Sequence, residues 1–231
     1  MATAGSEQAP ISLRGSTDTV IEFLRCAIYS ILYQRGIYPP EMFRRASKFG
    51  TSVLVAQEAQ LDSYIERILQ RHLRLWVLRG SVHRVVLAFA ATADPGRILE
   101  RWHFDLHMEQ RATEDSSVPR DESVVMREIQ AIIRQITASV TFLPLLDEPC
   151  SFDLLVYTDP ALEADANEWE ESDAKLITAP RCEQVKLRSF TTNVHRVETG
   201  VAYACKELTD TSYPFRKPIL PQTFHVATAL A

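Results

Sequence analysis

One stretch of this chain is apolar over almost the full length of a strand. Residues Val82–Ala91 read VHRVVLAFAA, and they are bounded by Gly80 and by Asp94-Pro95-Gly96. Such a run is typical of a strand buried on both faces, because alternate side chains point to opposite sides of a sheet. We expect the Asp-Pro-Gly turn to lead into a second strand over residues 97–108, which completes a hairpin.

Three other stretches carry apolar side chains at the spacing of an amphipathic helix. The first is predicted over residues 16–36, with Ser16 or Thr17 as its cap, and the others cover residues 58–78 and 122–140. A further strand is expected over residues 152–157. Residues 185–194 and 201–204 form either a hairpin joined at Glu198-Thr199-Gly200 or a mobile unit. These elements predict an α+β domain.

The composition argues against several classes of function. A net charge of −5 disfavours nucleic acid as the main partner, because phosphate contacts need a concentrated basic surface. No apolar run approaches the roughly 20 residues that span a bilayer, and the start of the chain lacks the pattern of a secretory signal. Four widely spaced cysteines indicate reduced thiols rather than a zinc site. Seven glycines leave little room for a phosphate-binding loop.

Two polar patterns have both a functional and an ordinary interpretation. His103, Asp105 and His107 share one side of the strand over residues 97–108, where they can bind a metal ion or form a solvated face. The second helix carries an arginine stripe that can bind phosphate or form a solvated helix face; it consists of Arg67, Arg71 and Arg74. We favour the solvated interpretation of both patterns, and we expect no metal, cofactor or catalytic centre.

A long acidic segment separates the strand over residues 152–157 from the last β-like stretches. Residues 159–173 carry seven carboxylates and a single tryptophan, Trp169. Loops of this length usually have a function or lack order. A lone tryptophan among carboxylates indicates an anchor that docks elsewhere on the molecule.

Six blocks of this chain resemble the HORMA domain family, in its spindle-checkpoint branch. The resemblance covers roughly residues 11–204, and several blocks match over ten or more positions, so the signal is specific. The blocks are GSTDTVIEF (15–23), SILYQRGIYPPEMF (30–43), LERWHFD (99–105), IRQITASVTFLPLLD (133–147), SFDLLVYTD (151–159) and VKLRSFTTNVHRV (185–197).

The resemblance implies a HORMA fold of three helices packed on a mainly antiparallel sheet, over residues 11–205, with no enzymatic activity. Such a domain binds a short peptide by adding it to a sheet edge, here the strand over residues 152–157. Residues 160–205, which we call the belt, then wrap across the peptide in the closed form. In the open form the belt covers the edge itself, so the domain is a conformational switch.

The resemblance also implies the role of a spindle assembly checkpoint protein that inhibits anaphase onset. Its partners would be a coiled-coil checkpoint receptor at the kinetochore, the activator subunit of the anaphase-promoting complex, a second copy in the other conformer, and an AAA+ remodelling ATPase with its HORMA adaptor. No nucleic acid or membrane is implied. The expected location is the nucleus, the kinetochore and the cytoplasm. The alternative is a HORMA adaptor subunit of a translesion DNA polymerase.

Two groups of site residues follow from the resemblance. The peptide would bind at Phe152, Leu154, Leu155, Tyr157 and Trp169. The second copy would dock at the end of the third helix. The residues of that surface are Arg134, Gln135, Thr141 and Phe142.

The chain departs from the family at its end, because 28 residues follow Tyr203, near which the family domain ends. Prolines at 214, 218 and 221 predict a flexible tail over residues 206–231, and residues 1–10 are expected to be flexible as well. Residues 216–221 (RKPILP) loosely resemble the family's ligand peptides, but Pro218 removes a backbone donor that strand pairing needs. The tail is either an inert extension, which we favour, or a ligand of its own domain.

Overall fold

The computed structural model describes residues 13–109, 120–162, 168–205 and, by their backbone, 224–228. The residues predicted to be flexible at the N-terminus, and most of those in the tail, lie outside these ranges. None of the described helices is long and apolar enough to cross a membrane. The helices are α1 (Leu13–Gln34), α2 (Ala59–Glu66), α3 (Arg74–Leu78) and α4 (Glu122–Ala138). The strands are β1 (Phe43–Lys48), β2 (Thr51–Ala56), β3 (Val82–Ala91), β4 (Asp94–Met108), β5 (Cys150–Thr158), β6 (Trp169–Glu171), β7 (Cys182–Thr191), β8 (His195–Ala204) and β9 (Phe224–Thr228).

Seven of the strands form one sheet in the order β6-β9-β5-β3-β4-β8-β7, and β1 and β2 form a separate hairpin. The pairs among β3, β4, β5, β7 and β8 are antiparallel. Only β9 is parallel to its neighbours β5 and β6. This confirms the predicted α+β class with a mainly antiparallel sheet. The β9 strand departs from the expected flexible tail.

Helix α1 is the central core helix, and it begins one turn earlier than predicted. Ser16 and Thr17 lie inside the helix and are buried, so neither acts as its cap. The Thr17 hydroxyl donates to the Leu13 carbonyl 3.0 Å away, as a helical threonine does. The helix ends at Gln34, and the chain turns away at Gly36, whose φ of 64° is a left-handed conformation that glycine adopts without a steric cost.

The predicted second helix is one rod made of α2, a π-helical segment over Arg67–Leu73, and α3. Glu58 caps it, because its carboxylate accepts from the Leu61 backbone amide at 2.7 Å. The wider π turn changes the phase of the apolar stripe. As a result Trp76 is buried, whereas the adjacent Leu75 is 46% exposed.

Helix α4 begins after a cap at Asp121, whose carboxylate accepts from the Ser123 amide at 2.9 Å. Its last turn tightens into a 3₁₀ turn over Ser139–Thr141. A 3₁₀ turn has three residues per turn instead of 3.6, so side chains rotate out of the helical stripe. Val140 is therefore 46% exposed.

Both faces of the sheet are covered, which confirms the prediction from the apolar run of β3. The odd-numbered residues Val85 and Phe89 join the large core under the helices. The even-numbered residues Val86, Ala88 and Ala90 form a second, smaller core on the opposite face, together with residues of β4 and β5. The sheet therefore needs a cover on the side that carries no helix.

Two predicted turns lie elsewhere. Ala91 pairs with Asp94, so the β3–β4 turn consists of Thr92 and Ala93, before the Asp-Pro-Gly triplet. The predicted turn at Gly200 lies inside β8, where a Cβ on the glycine would stand 2.6 Å from the ring of His103. The glycine permits close packing of two strands here and does not form a turn.

A buried ion pair joins the end of α1 to the sheet. The Arg35 guanidinium donates to both oxygens of Glu100, with nitrogen–oxygen distances of 2.8–3.0 Å, and to the backbone carbonyl of Pro144. The Trp102 indole donates to the same carboxylate at 2.6 Å. Burial raises the pKa of Glu100 despite these donors. The pair ties α1, β4 and the turn after α4 together.

Candidate functional site

The β5 strand has a neighbour on each side, and one of them comes from the end of the chain. β3 pairs antiparallel with β5 along most of its length, whereas β9 runs parallel along its other edge, with Leu155 opposite His225 and Thr158 opposite Thr228. β6 pairs with the far side of β9. A five-residue segment is thus enclosed between β5 and a short strand of the belt.

The predicted peptide-binding residues of β5 divide between the two faces of the sheet. Phe152 and Leu154 belong to the helix-side core, and the Phe152 ring lies 6.2 Å from the ring centre of Tyr38. Leu155 belongs to the smaller core on the opposite face. Phe152 and Leu154 therefore support β5 from beneath, while Leu155 lies within the register that β9 pairs with.

Tyr157 connects three segments. Its hydroxyl donates to the backbone carbonyl of Ala174 in the belt at 3.1 Å and accepts from the Arg101 guanidinium of β4 at 2.8 Å. The guanidinium carbon also lies 5.8 Å from the centre of the Tyr157 ring, within cation–π range. Tyr157 therefore fixes the belt at the point where it leaves the edge of β5.

Trp169 is the docked anchor that the acidic segment predicted, and it is only 5% exposed. Its ring lies 4.9 Å from that of Trp76 and 5.6 Å from that of His72, both on the second helical rod. Buried aromatic clusters of this kind contribute more than their area alone. The cluster attaches β6 to the helices, and β6 in turn holds β9.

Glu168 adds a charged contact beside this cluster. Its carboxylate accepts from the Arg71 guanidinium at 2.9 Å and also pairs with the His72 ring. Arg74 pairs instead with Asp18 of α1 at 2.7 Å. Two of the three arginines considered for a phosphate-binding stripe therefore face carboxylates, and one of them holds the belt.

Beyond β6 the belt crosses the face of the sheet that carries no helix. Ile177 packs on the smaller core, against residues that include Ala88 and Leu155. The Lys175 ammonium lies 4.0 Å from the Asp153 carboxylate of β5. The crossing supplies the cover that the second face of β3 requires, and it delivers β7 and β8 to the opposite edge.

The β7–β8 hairpin docks on β4, so that β8 lies four strand positions from β9. Its turn consists of residues 192–194, where the Thr192 hydroxyl donates to the His195 backbone carbonyl at 3.0 Å and accepts from the His195 backbone amide at 2.8 Å. The Ser16 hydroxyl of α1 lies 2.7 Å from His195 Nδ1 and 2.5 Å from the Thr192 hydroxyl. Burial lowers the pKa of His195 despite a hydrogen bond with the Val77 backbone. This buried polar contact fastens the hairpin to α1.

His103, Asp105 and His107, which were considered as metal ligands but favoured as a solvated face, are not gathered into a coordination site. Asp105 pairs with the Arg84 guanidinium, and His103 packs against Gly200. Among the described residues no group of three or more His, Cys, Asp and Glu side chains is placed to hold a metal. All four cysteines are unpaired thiols.

The residues predicted to dock a second copy lie at the end of α4 and just beyond it. Arg134 and Thr141 are exposed, and Phe142 is 40% exposed. The Gln135 side chain accepts from the Arg188 backbone amide of β7 at 2.8 Å, which ties the helix to the sheet edge. Leu145, 80% exposed, extends this apolar surface.

The contacts that hold the belt involve residues that the sequence did not single out for that role. Trp76 and His72 fit the pattern of an ordinary core helix, and Ser16 fits that of a cap. The sequence carried one signal of this contact: the second helix has a basic face, and the acidic segment over residues 159–173 is of comparable length. The partner of each residue is distant in the chain, so the spacing alone does not identify it.

The HORMA domain family matches residues 16–195 of this chain. The chain is 48% identical over 203 residues to the mitotic spindle assembly checkpoint protein MAD2A of Dictyostelium discoideum, covering 88% of this chain and 98% of the relative. It is 45% identical over 205 residues to the Homo sapiens protein of the same name, covering 88% and 97%. The DNA polymerase zeta processivity subunit of Schizosaccharomyces pombe is more distant, at 28% identity over 69% of this chain.

A chain in the crystal structure of a mitotic checkpoint complex is also similar in fold. It superposes with a TM-score of 0.73 at 40% sequence identity, and the match covers 83% of this chain and 99% of that one.

Proposed function

Because this chain belongs to the HORMA domain family, and because its similar relatives are checkpoint proteins matched over almost their whole length, we infer that it is a spindle assembly checkpoint protein. It acts in mitosis as a switch that captures a peptide and thereby delays anaphase. Its work is binding rather than catalysis. The observation that carries this conclusion is the enclosed strand position between β5 and the belt strand β6.

In the proposed mechanism a peptide from a partner takes the place that β9 holds beside β5. Main-chain hydrogen bonds to β5 supply affinity, because an extended peptide completes the ladder of a sheet edge. The Trp169 cluster and the Tyr157–Ala174 bond then keep the belt across the peptide. Release requires these contacts to open, so exchange follows local unfolding of the belt and is slow.

The switch requires two packings of residues 160–205 that differ by a few kcal/mol. In the packing described above, β7 and β8 pair with β4, which leaves the edge of β5 to another strand. A ligand that moves such an equilibrium from 1:99 to 99:1 must favour one packing by about 5.5 kcal/mol. A fully hydrogen-bonded strand enclosed by a belt is a suitable source of that difference.

The proposed partners are the coiled-coil checkpoint receptor at the kinetochore and the activator subunit of the anaphase-promoting complex. A second copy in the other conformer docks at the end of α4, and an AAA+ ATPase with its HORMA adaptor resets the switch. These partners place the protein at the kinetochore, in the nucleus and in the cytoplasm. In this proposal residues 11–205 form the HORMA domain.

The experiment that tests the function replaces the relative in human cells. Cells depleted of their own MAD2A and treated with a microtubule poison should recover mitotic arrest when they express this chain. Expression of the Trp169→Ala variant at matched levels should restore less arrest. Exit from mitosis at the rate of depleted cells, with the chain well expressed, would contradict the proposal.

A binding assay separates the alternative function. Labelled peptides from the activator of the anaphase-promoting complex and from the catalytic subunit of DNA polymerase zeta are titrated with the full chain, and fluorescence anisotropy is read. The checkpoint function predicts tighter binding of the activator peptide. Preference for the polymerase peptide would favour a translesion adaptor instead.

A further inference from the structure

The strand enclosed between β5 and β6 belongs to this chain itself. β9 comprises Phe224–Thr228, close to the C-terminus, and it pairs in register with Leu155–Thr158 on one side and with all three residues of β6 on the other. In the described part of the chain β6 has no other strand partner. The belt therefore closes over a segment of its own polypeptide.

The segment can reach this position from its own β8. Eighteen residues, 206–223, separate Cys205 from Phe224. They span up to about 60 Å when extended. β8 and β9 are four strand positions apart in the sheet, which corresponds to about 19 Å at the usual strand spacing. The linker is therefore long enough for the tail to bind in cis.

The backbone chemistry of the tail also fits. Each proline of the tail, at 214, 218 and 221, precedes β9, and residues 222–231 contain none. Every residue of β9 therefore keeps the amide that a strand between two neighbours needs, since successive amides point to opposite sides. The RKPILP stretch at residues 216–221 resembled a ligand but contained prolines. The segment that pairs with β5 begins just after it.

We propose that residues 224–228 are a built-in ligand that occupies the peptide site and competes with external peptides. This inference rests on the proposed function, because it assigns the occupant of the same site. A tethered ligand acts at an effective concentration of about 1 mM. If the tail binds with an intrinsic Kd of about 0.1 mM, it weakens the apparent affinity for an external peptide by roughly tenfold.

The test uses the full chain in three forms. The wild type is compared with His225→Pro/Val226→Pro, which removes one amide donor from each side of β9. The matched control is Asp210→Pro/Thr211→Pro, which places the same two prolines in the linker. The probe is a fluorescein-labelled synthetic peptide of residues 220–231, LPQTFHVATALA, and binding is read by anisotropy.

The His225→Pro/Val226→Pro variant should bind the labelled tail peptide about tenfold more tightly than the wild type and the linker control do. Equal binding by all three forms would overturn the proposal. As a measurement that needs no variant, hydrogen exchange of the wild type should show protected amides over residues 224–228, and an excess of activator peptide should remove that protection. Unprotected amides in the free wild type would also overturn it.

Two further measurements separate this proposal from the checkpoint function and from binding of the tail of a second copy. If the His225→Pro/Val226→Pro variant binds the activator peptide but not the tail peptide, the built-in ligand is contradicted and the checkpoint function stands. If it binds the tail peptide but not the activator peptide, the built-in ligand stands and the checkpoint function is contradicted. Sedimentation should give the same oligomeric state for the wild type and for the His225→Pro/Val226→Pro variant, because the tail binds in cis. A dimer that the two β9 prolines abolish would instead assign the site to the tail of a second copy.

Discussion

Single side chains hold the belt in place, and Trp169 is one of them. It belongs to the large core under the helices, where it is buried against Trp76 and His72, although it stands on the belt strand β6. Its neighbour Glu170 lies on the same strand and is exposed. Substitutions at Trp169 and at Glu170 therefore separate the loss of a buried anchor from a change in the strand propensity of β6.

Truncation of this anchor, Trp169→Ala, should speed the release of bound peptide. Removing a buried tryptophan costs about 3–5 kcal/mol where the surroundings do not collapse. Because Trp169 reaches the large core from the belt strand β6, most of that loss should appear as faster opening of β6 and a dissociation rate raised at least 30-fold. Stopped-flow displacement of a labelled activator peptide measures it. Glu170→Ala is the control, and an equal effect of both variants would contradict the anchoring role.

The buried Arg35–Glu100 pair governs global stability. Replacing Glu100 by Gln leaves the guanidinium buried with a neutral partner, and breaking a buried pair costs about 3–5 kcal/mol. Urea denaturation should show a loss of that order in the free energy of unfolding. Glu148→Gln breaks the more exposed pair with Arg97 and should cost less than about 1 kcal/mol. Similar losses in both variants would show that the buried pair has no special role.

At the scale of elements, the seam between β4 and β8 carries two buried histidines. His103 lies opposite Gly200, and His195 lies opposite Met108. Burial lowers the pKa of both rings below the ordinary value of 6.5. Both are therefore neutral in the folded protein at pH 7, and the docking of the β7–β8 hairpin depends on their staying so.

Acidification should loosen this seam. Below about pH 6.5 the unfolded chain binds protons that the folded seam excludes, so the free energy of unfolding falls as the pH falls, by up to about 1.4 kcal/mol per pH unit for each histidine. Thermal or urea unfolding between pH 7.5 and 5.5 measures the slope. His195→Gln should reduce it, whereas His107→Gln, at an exposed position, should not. A slope unchanged by His195→Gln would refute the assignment.

The elements also show which features were predictable from the sequence. The apolar run of β3 and the stripe of α4 repeat within a few residues, so their structure follows from local pattern. Gly200 was predicted to lie in a turn because its actual constraint, the ring of His103, is almost a hundred residues away. The partner of Trp169 and the pairing of β9 with β5 were likewise not predictable, since both contacts depend on the assembled sheet. The peptide-binding and docking residues came from the family resemblance rather than from local pattern.

At the scale of the whole molecule, the surface at the end of α4 should mediate self-association. The variant Arg134→Glu with Gln135→Ala should weaken it by roughly 30-fold, which corresponds to about 2 kcal/mol for a hot spot centred on an arginine. Sedimentation equilibrium measures the change. Because Gln135 also bonds to the Arg188 amide, Gln135→Ala alone is the control for a shift of α4. Unchanged association in the double variant would exclude this surface.

The position of β9 at the far end of the chain has a consequence for biosynthesis. Sixty-five residues separate Thr158, the end of β5, from Phe224, so a ribosome adding about 5–20 residues per second completes β5 roughly 3–13 s before β9 exists. During that interval the nascent chain presents an uncovered strand edge, which is a template for aggregation. Arrival of the last residues then caps that edge. A chain that ends before residue 224 would leave the ribosome without this cap, so its edge would be covered only by the belt in the open packing or by a ligand already present in the cell.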